Sequence, residues 1–211
     1  MKLADMQVTQ FCDVLASDAP APGGGSTAAL EGALGAALTA MVCGLTTVGK
    51  SREKYAEYQE FVLASQKKAL DLKARFMDVM DRDTEAFNVV SAAFGMPKAT
   101  DEEKAARSAA LQEATLYATQ VPLRTMKTAF GVFEIVRAMA AVGNPNSVSD
   151  AGVGALAARS AVLGAGLNVR INAAGLKDRA AADALVAEAD RLAAEAERAE
   201  REVLEIVASK I

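Results

Sequence analysis

The chain has 211 residues, of which 52% are hydrophobic but only 5% aromatic, with no tryptophan and no histidine. This length is sufficient for a self-supporting core, which must be built mainly from Ala, Leu, Val and Met in closely approaching helices. The net charge of −4 comes without basic runs interleaved with aromatic residues, which argues against a nucleic-acid partner, and the lack of histidine excludes any mechanism that uses an imidazole of this chain.

Prolines, glycines and capping residues divide the sequence into seven predicted helices. Runs with the two-residue period of a β-strand are missing. The predicted helices cover residues 3–17, 26–48, 52–93, 101–119, 122–141, 150–173 and 179–209. Thr100 with Glu103 forms a capping-box pattern at the start of the fourth. We therefore expect an all-α fold, an antiparallel multi-helix bundle with long helices, in a single domain over residues 1–211.

The N-terminal segment is acidic and polar among its apolar residues, and it lacks the basic start and apolar run of a secretory signal. This predicts a cytoplasmic location. Two Ala/Gly-rich stretches, 27–48 and 151–171, approach the length of a membrane span of about 20 residues. Glu31 interrupts the first and Arg159 the second. A membrane hairpin is the alternative, but helices buried in protein also explain the small residues, and we expect no membrane partner.

Small residues recur at steps of four in the second predicted helix. They are Ala28, Gly32, Ala36, Ala40 and Gly44. Residues at this spacing share one face of a helix, so the stripe predicts that another helix axis lies against it.

A glycine-rich segment, PAPGGGS at residues 20–26, opens that helix. The residues that we single out are Pro22, Gly23, Gly24, Gly25 and Ser26. Exposed N–H groups and the helix dipole at such a place favour an anion or a polar heterocycle. The spacing fits neither a Walker loop nor a dinucleotide loop. A tight turn capped by Ser26 is the alternative.

A second polar turn, GNPNSVSDAG at residues 143–152, opens another small-residue helix. Ser147 and Asp150 match a capping-box pattern, which is the structural alternative to a role in a site. The helix that follows carries a polar stripe at steps of four, which either solvent or a cleft explains. Its members are Ser160, Gly164, Asn168 and Asn172.

An acidic segment, DRDTEAFN at residues 81–88, lies inside the long third predicted helix. On a helix, Asp81 lies beside Glu85 and Asp83 lies beside Phe87, so one of the carboxylates can point into the protein. The alternative is an exposed acidic patch. Only Cys12 and Cys43 are present, too few for a disulfide framework or a cysteine zinc site. Without histidine, any acid or base must be a carboxylate, Lys, Tyr or solvent.

These three segments, in this order, resemble the cyclodeaminase/cyclohydrolase family. The family comprises the C-terminal half of formiminotransferase-cyclodeaminase and stand-alone bacterial methenyltetrahydrofolate cyclohydrolases. The similarity lies in residues 19–46, 83–107 and 143–172. Since the length is similar to that of the stand-alone enzymes, we expect a stand-alone enzyme with no formiminotransferase domain before it.

The resemblance implies an all-helical homodimer with a folate cleft lined by the glycine-rich segment and the SDAGV segment. It places the proton-transfer acid on Asp83, with Asp150 as the second catalytic candidate. The other residues that it implies for the pocket are Ser26, Asn146, Ser147 and Asn168. The segment GKSREKY departs from the more usual GKKKY, so Lys50, Arg52 and Lys54 would share any contact with the folate glutamate tail.

The expected activity is hydrolysis of 5,10-methenyltetrahydrofolate to 10-formyltetrahydrofolate by carboxylate acid–base catalysis, with no metal and no organic cofactor. Two alternatives stay open. One is a formiminotetrahydrofolate cyclodeaminase, which releases ammonia from 5-formiminotetrahydrofolate. The other is a non-catalytic helical interaction module whose stripe of small residues is a dimer seam.

Overall fold

The computed structural model describes residues 2–211, and in that range the chain forms α-helices and short 3-10 turns without a β-strand. The all-α prediction is therefore confirmed. The α-helices are α1 (Val8–Leu15), α2 (Gly24–Thr47), α3 (Lys50–Lys54), α4 (Gln59–Phe94), α5 (Asp101–Val142), α6 (Val148–Ala173) and α7 (Arg179–Ala208). The 3-10 turns are Leu3–Asp5, Ala56–Tyr58 and Pro145–Ser147.

The five long helices, α2 and α4 to α7, form an up-and-down bundle. The start of α2 faces the C-terminal half of α4 and the last turns of α6, so α2 is antiparallel to both. We call this end of the bundle, with residues 20–26, the GGG end. The opposite end holds residues 143–150 and α3, and we call it the NPN end. The core between them consists mainly of buried Ala and Val side chains.

Other helices lie against the stripe of small residues on α2, as predicted, and α4 covers Gly32 and Gly44. A Cβ atom at Gly32 would lie 2.7 Å from Cδ1 of the fully buried Phe76. One at Gly44 would lie 2.9 Å from Nε2 of Gln66. Because such distances are shorter than van der Waals contact, the missing side chains are what permits the close approach of the two helices.

The first predicted helix begins later than expected, because its first residues are held by another element. Asp81 of α4 accepts the N–H of Leu3 at 2.7 Å, and α1 starts only at Val8, after a capping box between Gln7 and Gln10. The predicted helix 52–93 is likewise divided, into α3, a 3-10 turn and α4.

The break predicted before Pro122 is wrong, since α5 continues through this proline. Pro122 has no N–H, so the carbonyl of Ala118 loses its usual partner in the helix. Nδ2 of Asn172 in α6 donates to that carbonyl at 2.8 Å. A neighbouring helix thus supplies the missing hydrogen bond, and α5 stays intact.

Of the predicted helix caps, one is confirmed and two are wrong. Thr100 and Glu103 form the predicted capping box at the start of α5. Ser26 does not cap α2, because the N-cap is Gly23 and Ser26 lies inside the first turn. Ser147 does not cap α6 either, since its hydroxyl donates to the carbonyl of Asn144 at 3.0 Å.

Two segments, Gly24–Thr47 and Pro145–Ala173, are long and apolar enough to span a membrane by length and composition. In the bundle, 56% and 50% of their most apolar windows are buried. Part of the remainder forms one exposed apolar surface, which we call the α2–α6 face. Its large hydrophobic side chains are Leu34, Met41 and Leu45 of α2 and Val153, Leu156, Leu167 and Ile171 of α6.

The hydrogen bond from Asn172 to the carbonyl of Ala118 leads to a first prediction. Asn172→Ala leaves the carbonyl of Ala118 without its partner and is expected to lower the free energy of unfolding by about 1–3 kcal/mol. In a Pro122→Ala background the restored N–H donates to that carbonyl, so Asn172→Ala should lower the free energy of unfolding clearly less. Urea unfolding of the four proteins of this double-mutant cycle measures the coupling. Equal costs in both backgrounds would contradict the proposed compensation.

Candidate active site

A cleft of about 340 Å³ opens at the GGG end between α2, α4, α5 and α6. It combines a glycine-rich loop, one carboxylate, two amides and an apolar wall. The lining residues are Pro20, Ala21, Gly23, Gly24, Gly25, Asp83, Ala86, Phe87, Val90, Ala118, Asn168 and Asn172. We therefore treat this cleft as the candidate active site.

The N-terminus of α2 forms one wall of the cleft. The first hydrogen bond of this helix joins the N–H of Thr27 to the carbonyl of Gly23, so the N–H groups of Gly24, Gly25 and Ser26 have no partner within α2. Such a terminus carries a partial positive charge. A carboxylate placed there is stabilised, and Asp83 occupies this position.

Asp83 reaches α2 from the facing helix α4. The hydroxyl of the fully buried Ser26 donates to Oδ2 of Asp83 at 2.8 Å. Burial raises the pKa of the Asp83 carboxyl above its ordinary value, and the hydrogen bonds from the Ser26 hydroxyl and backbone N–H oppose this only in part. The result is a half-buried carboxyl group whose pKa lies closer to neutrality, as suits a group that accepts and returns a proton.

Gly25 allows this approach because it has no side chain. A Cβ atom there would lie 2.6 Å from Cγ of Asp83, well inside van der Waals contact. The neighbouring Gly24 is different, since a Cβ would meet only Nδ2 of Asn168, at 3.5 Å. Gly25 is thus the glycine that fixes the position of Asp83, whereas Gly24 leaves the cleft open.

Asn168 and Asn172 present hydrogen-bond acceptors to the cleft. Nδ2 of Asn168 donates to the carbonyl of Gly164 at 3.0 Å, and Nδ2 of Asn172 donates to that of Ala118. Within residues 2–211 nothing donates to either side-chain oxygen. Two amide oxygens are therefore free to accept N–H groups from a bound molecule, one helical turn apart.

The two other acids of the acidic segment do not line the cleft. Asp81 is used by the N–H groups of Leu3 and Ala4, and Glu85 is exposed. Sequence reasoning did not single out Phe87, Val90 and Ala118 as lining residues. For Phe87 a signal existed, because it lies one helical turn after Asp83.

The remaining predicted site residues lie at the NPN end. Asp150 and Asn168 are both on α6, 18 residues apart in sequence, which corresponds to roughly 27 Å at about 1.5 Å per residue. Asn146 and Ser147 are in the 3-10 turn before α6, and Lys50 begins α3 beside them. The structure thus brings together the glycine-rich segment, Asp83 and Asn168, but within one chain it does not bring the SDAGV segment or Lys50 to this cleft.

Neither cysteine contributes a nucleophile to the cleft. Cys43 is buried in α2, and burial raises the pKa of its thiol to about 11, so the thiolate is scarce at neutral pH. Cys12 is exposed on α1 and does not line the cleft. Asp83 is consequently the titratable group that faces the cavity.

Comparisons with known proteins agree on one family. Residues 7–191 match the model of the formiminotransferase-cyclodeaminase family. The chain is 44% identical over 204 residues to a methenyltetrahydrofolate cyclohydrolase of Methylorubrum extorquens, covering 97% of each chain. It is 36% identical over 176 residues to the formimidoyltransferase-cyclodeaminase of Rattus norvegicus, of whose length it spans 31%.

Among solved structures, the chain is similar to the crystal structure of a formiminotetrahydrofolate cyclodeaminase from Thermotoga maritima. The TM-score is 0.85, the alignment covers 99% of this chain and 98% of the other, and the identity is 24%. At that identity the match establishes a shared fold.

The close approach of the Asp83 carboxyl to Gly25 leads to the second prediction. Gly25→Ala is expected to push the Asp83 carboxyl away from Ser26 toward solvent, and because burial is the main cause of the raised pKa, that pKa should fall toward its ordinary value. Gly24→Ala is the matched control and should leave the pKa unchanged. NMR titration of ¹³C-labelled aspartate measures both. An unaltered Asp83 pKa in Gly25→Ala would show that this contact does not position the carboxyl.

Proposed function

This chain belongs to the formiminotransferase-cyclodeaminase family, and from that membership we propose that it is a methenyltetrahydrofolate cyclohydrolase. It hydrolyses 5,10-methenyltetrahydrofolate to 10-formyltetrahydrofolate. The observation that carries the proposal is the half-buried Asp83 carboxyl, held by Ser26 at the mouth of α2 in a cleft with free amide acceptors. The relatives are named as enzymes, and the chain is an enzyme rather than a non-catalytic interaction module.

The coverage of the relatives favours cyclohydrolase over cyclodeaminase. The cyclohydrolase relative matches nearly end to end at 44% identity, whereas the rat relative carries a second, named transferase activity and is matched over 31% of its length. Cyclodeaminase activity remains the second candidate because the family and the Thermotoga neighbour bear that name. There, the same acid would protonate the departing amine. Parallel assays with both folates distinguish the two activities.

The substrate fits the electrostatics of the cleft. Its methenyl bridge is a cation delocalised over the two nitrogens that flank one carbon, and a partly buried carboxylate attracts a cation more strongly than one in water. The pterin ring offers N–H donors to the oxygens of Asn168 and Asn172, and the wall of Ala86, Phe87 and Val90 offers it an apolar surface.

Asp83 then acts first as a base and afterwards as an acid. It takes a proton from a water as the water oxygen bonds to the methenyl carbon, which neutralises the cation. The bond from that carbon to the pterin nitrogen next breaks, and this nitrogen receives a proton from Asp83. The hydroxyl of the adduct releases its proton to solvent as the formyl C=O forms. Such acid–base catalysis contributes typically about 10²–10⁴-fold to the rate.

We propose that neither a metal nor an organic cofactor is needed, because the carbon under attack is already electrophilic in the substrate. The expected cytoplasmic location, and the expectation that neither nucleic acid nor a membrane is a partner, stay predictions.

We also propose that the chain is a homodimer. The α2–α6 face exposes large hydrophobic side chains along two neighbouring helices, and a contiguous apolar surface of this kind marks an interaction site. A second copy of the chain covers it most simply, since two-fold symmetry pairs one surface with itself.

The third prediction tests Asp83. Asp83→Asn keeps the shape of the side chain but removes its charge and proton acceptor, so turnover should fall by about 10²-fold or more, while binding of the neutral 10-formyl product is largely retained. Glu85→Gln, an exposed carboxylate on the same helix, is the matched control and should behave as wild type. Loss of the methenyl absorbance measures turnover.

A stability measurement on the same variants excludes misfolding as the cause. Since the pKa of Asp83 is raised in the folded chain, its contribution to stability is full at acid pH and is lost as the pH rises through that pKa. The neutral Asp83→Asn should therefore melt at or above the wild-type temperature at neutral pH. Wild-type turnover in Asp83→Asn would show that Asp83 is not the catalytic acid and base.

The fourth prediction concerns the dimer. Light scattering at micromolar concentration should give about twice the chain mass of 21.9 kDa. Leu156→Glu, which places a charge on the α2–α6 face, should give a folded monomer. Phe61→Glu is the matched control, because Phe61 of α4 is similarly exposed but lies outside this face. A monomeric wild type, or a dimeric Leu156→Glu, would contradict the proposed interface.

A further inference from the structure

We infer that Pro122 is a positioning residue for the folate site. By removing one N–H group from α5, it makes the carbonyl of Ala118 available to hold the Asn172 amide with its oxygen turned into the cleft. The inference rests on the proposed function and adds to it a residue that acts through another. Pro122 itself is buried and does not line the cleft.

The side-chain amide of an asparagine is only weakly oriented by its own torsion. That torsion is broad and roughly two-fold, so the oxygen and the nitrogen can exchange places with little change in energy. The nitrogen donates and the oxygen accepts, and only the oxygen can accept an N–H group of a pterin ring. A site that uses this oxygen therefore needs a partner that selects one of the two orientations.

The carbonyl of Ala118 selects the orientation of Asn172. A carbonyl oxygen can only accept, so it pairs with Nδ2 of Asn172, at 2.8 Å, and would repel Oδ1. Both Ala118 and Asn172 line the cleft, so the oxygen that is turned away from α5 stays open to a ligand. One hydrogen bond thus joins α5 to α6 and orients an acceptor that we propose for the pterin ring.

Pro122 is what makes that carbonyl available. In an uninterrupted helix, the N–H of residue 122 would donate to the carbonyl of residue 118. Pro122 has no N–H, and a proline ring also crowds the carbonyl four residues before it, which disturbs the usual direction of that group along the helix. Any other residue at this position would return the carbonyl of Ala118 to α5, and the Asn172 amide would have to compete for it.

Asn168, the other amide of the cleft, does not depend on Pro122. Its Nδ2 donates to the carbonyl of Gly164 at 3.0 Å, four residues earlier in the same helix. The orientation of Asn168 is therefore set within α6, whereas that of Asn172 is set by α5. Only the oxygen of Asn172 should respond to a change at residue 122.

Contacts on both sides of Pro122 hold α5 and its neighbour together without this bond. Toward the start of α5, Oε1 of Gln112 accepts the N–H of Lys177 at 2.6 Å. Further along α5, Cε of Met126 lies 3.3 Å from the place that a Cβ atom of Gly166 in α6 would take. Removing the proline should consequently free the amide without separating the two helices.

The side-chain amide of Asn172 can be observed directly by NMR in the ligand-free protein labelled with ¹⁵N-asparagine. Pro122→Ala is expected to speed the hydrogen exchange of this NH₂ group by about 3-fold or more, because its hydrogen bond is weakened. The Asn168 amide in the same spectrum is the internal control and should not change. Pro97→Ala, which removes an exposed proline between α4 and α5, is the matched control. An unaltered Asn172 amide in Pro122→Ala would overturn the inference.

Substrate binding gives the functional test. Pro122→Ala leaves Asp83 in place, so KM for 5,10-methenyltetrahydrofolate should rise by about 3–10-fold, the share of one hydrogen bond, while kcat stays within about 2-fold of wild type. The affinity for 5-formyltetrahydrofolate, which keeps the pterin ring, should fall by a similar factor. The melting temperature should stay at or above that of wild type, because α5 regains a backbone hydrogen bond. Wild-type KM and affinity in this variant would contradict the positioning role.

A double variant separates positioning from a general effect of the proline. If Pro122 acts through Asn172, adding Pro122→Ala to Asn172→Ala should raise KM no further. Fold-changes that multiply in the double variant would overturn the inference. If the wild type does not hydrolyse 5,10-methenyltetrahydrofolate, while Pro122→Ala frees the Asn172 amide and weakens 5-formyltetrahydrofolate binding, the proposed function fails and the positioning role stands.

Discussion

The site depends on one contact between two helices, the approach of Asp83 on α4 to the N-terminus of α2. The absence of a side chain at Gly25 permits it, the hydroxyl of Ser26 holds it at 2.8 Å, and the glycines along α2 keep α4 close enough for it to form. Asp83 acts as a cap for α2 supplied by another helix. The same contact therefore sets how α4 lies on α2 and fixes the group that we propose for catalysis.

The fold was largely readable from the sequence because its signals are local. Small residues spaced four apart identified the face of α2 that packs against other helices. The Thr100–Glu103 pair identified the start of α5. The errors arose where a distant residue replaced a local partner. Pro122 predicts a helix break, but Asn172 of α6 donates a hydrogen bond to the free carbonyl of Ala118 and the helix continues. Ser26 predicts a helix cap, but its hydroxyl donates to Asp83, which occupies the N-terminus of α2.

The site was readable only in part, for the same reason. The resemblance to the family identified Asp83 as the proton-transfer acid among three neighbouring acids. The spacing alone did not show which of the three carboxylates points into the protein. Asn146, Ser147 and Asp150 were expected in the same cleft because their motif accompanies the glycine-rich segment in sequence. The sequence predicts two helices of nearly equal length here, but it does not reveal that they are antiparallel, so that the starts of α2 and α6 lie at opposite ends of the bundle. Only the assembled helices show this separation.

In the mechanism that we propose, the raised pKa of Asp83 has a consequence for the release of the product. The carboxylate is costly in its half-buried place, and the cationic methenyl bridge of the substrate offsets that cost. Hydrolysis removes the positive charge, since the formyl product is neutral at this carbon. The cleft then holds a partly desolvated carboxylate beside a neutral ligand, and the attraction that retained the substrate is gone. The chemistry itself thus weakens the binding of the product relative to that of the substrate.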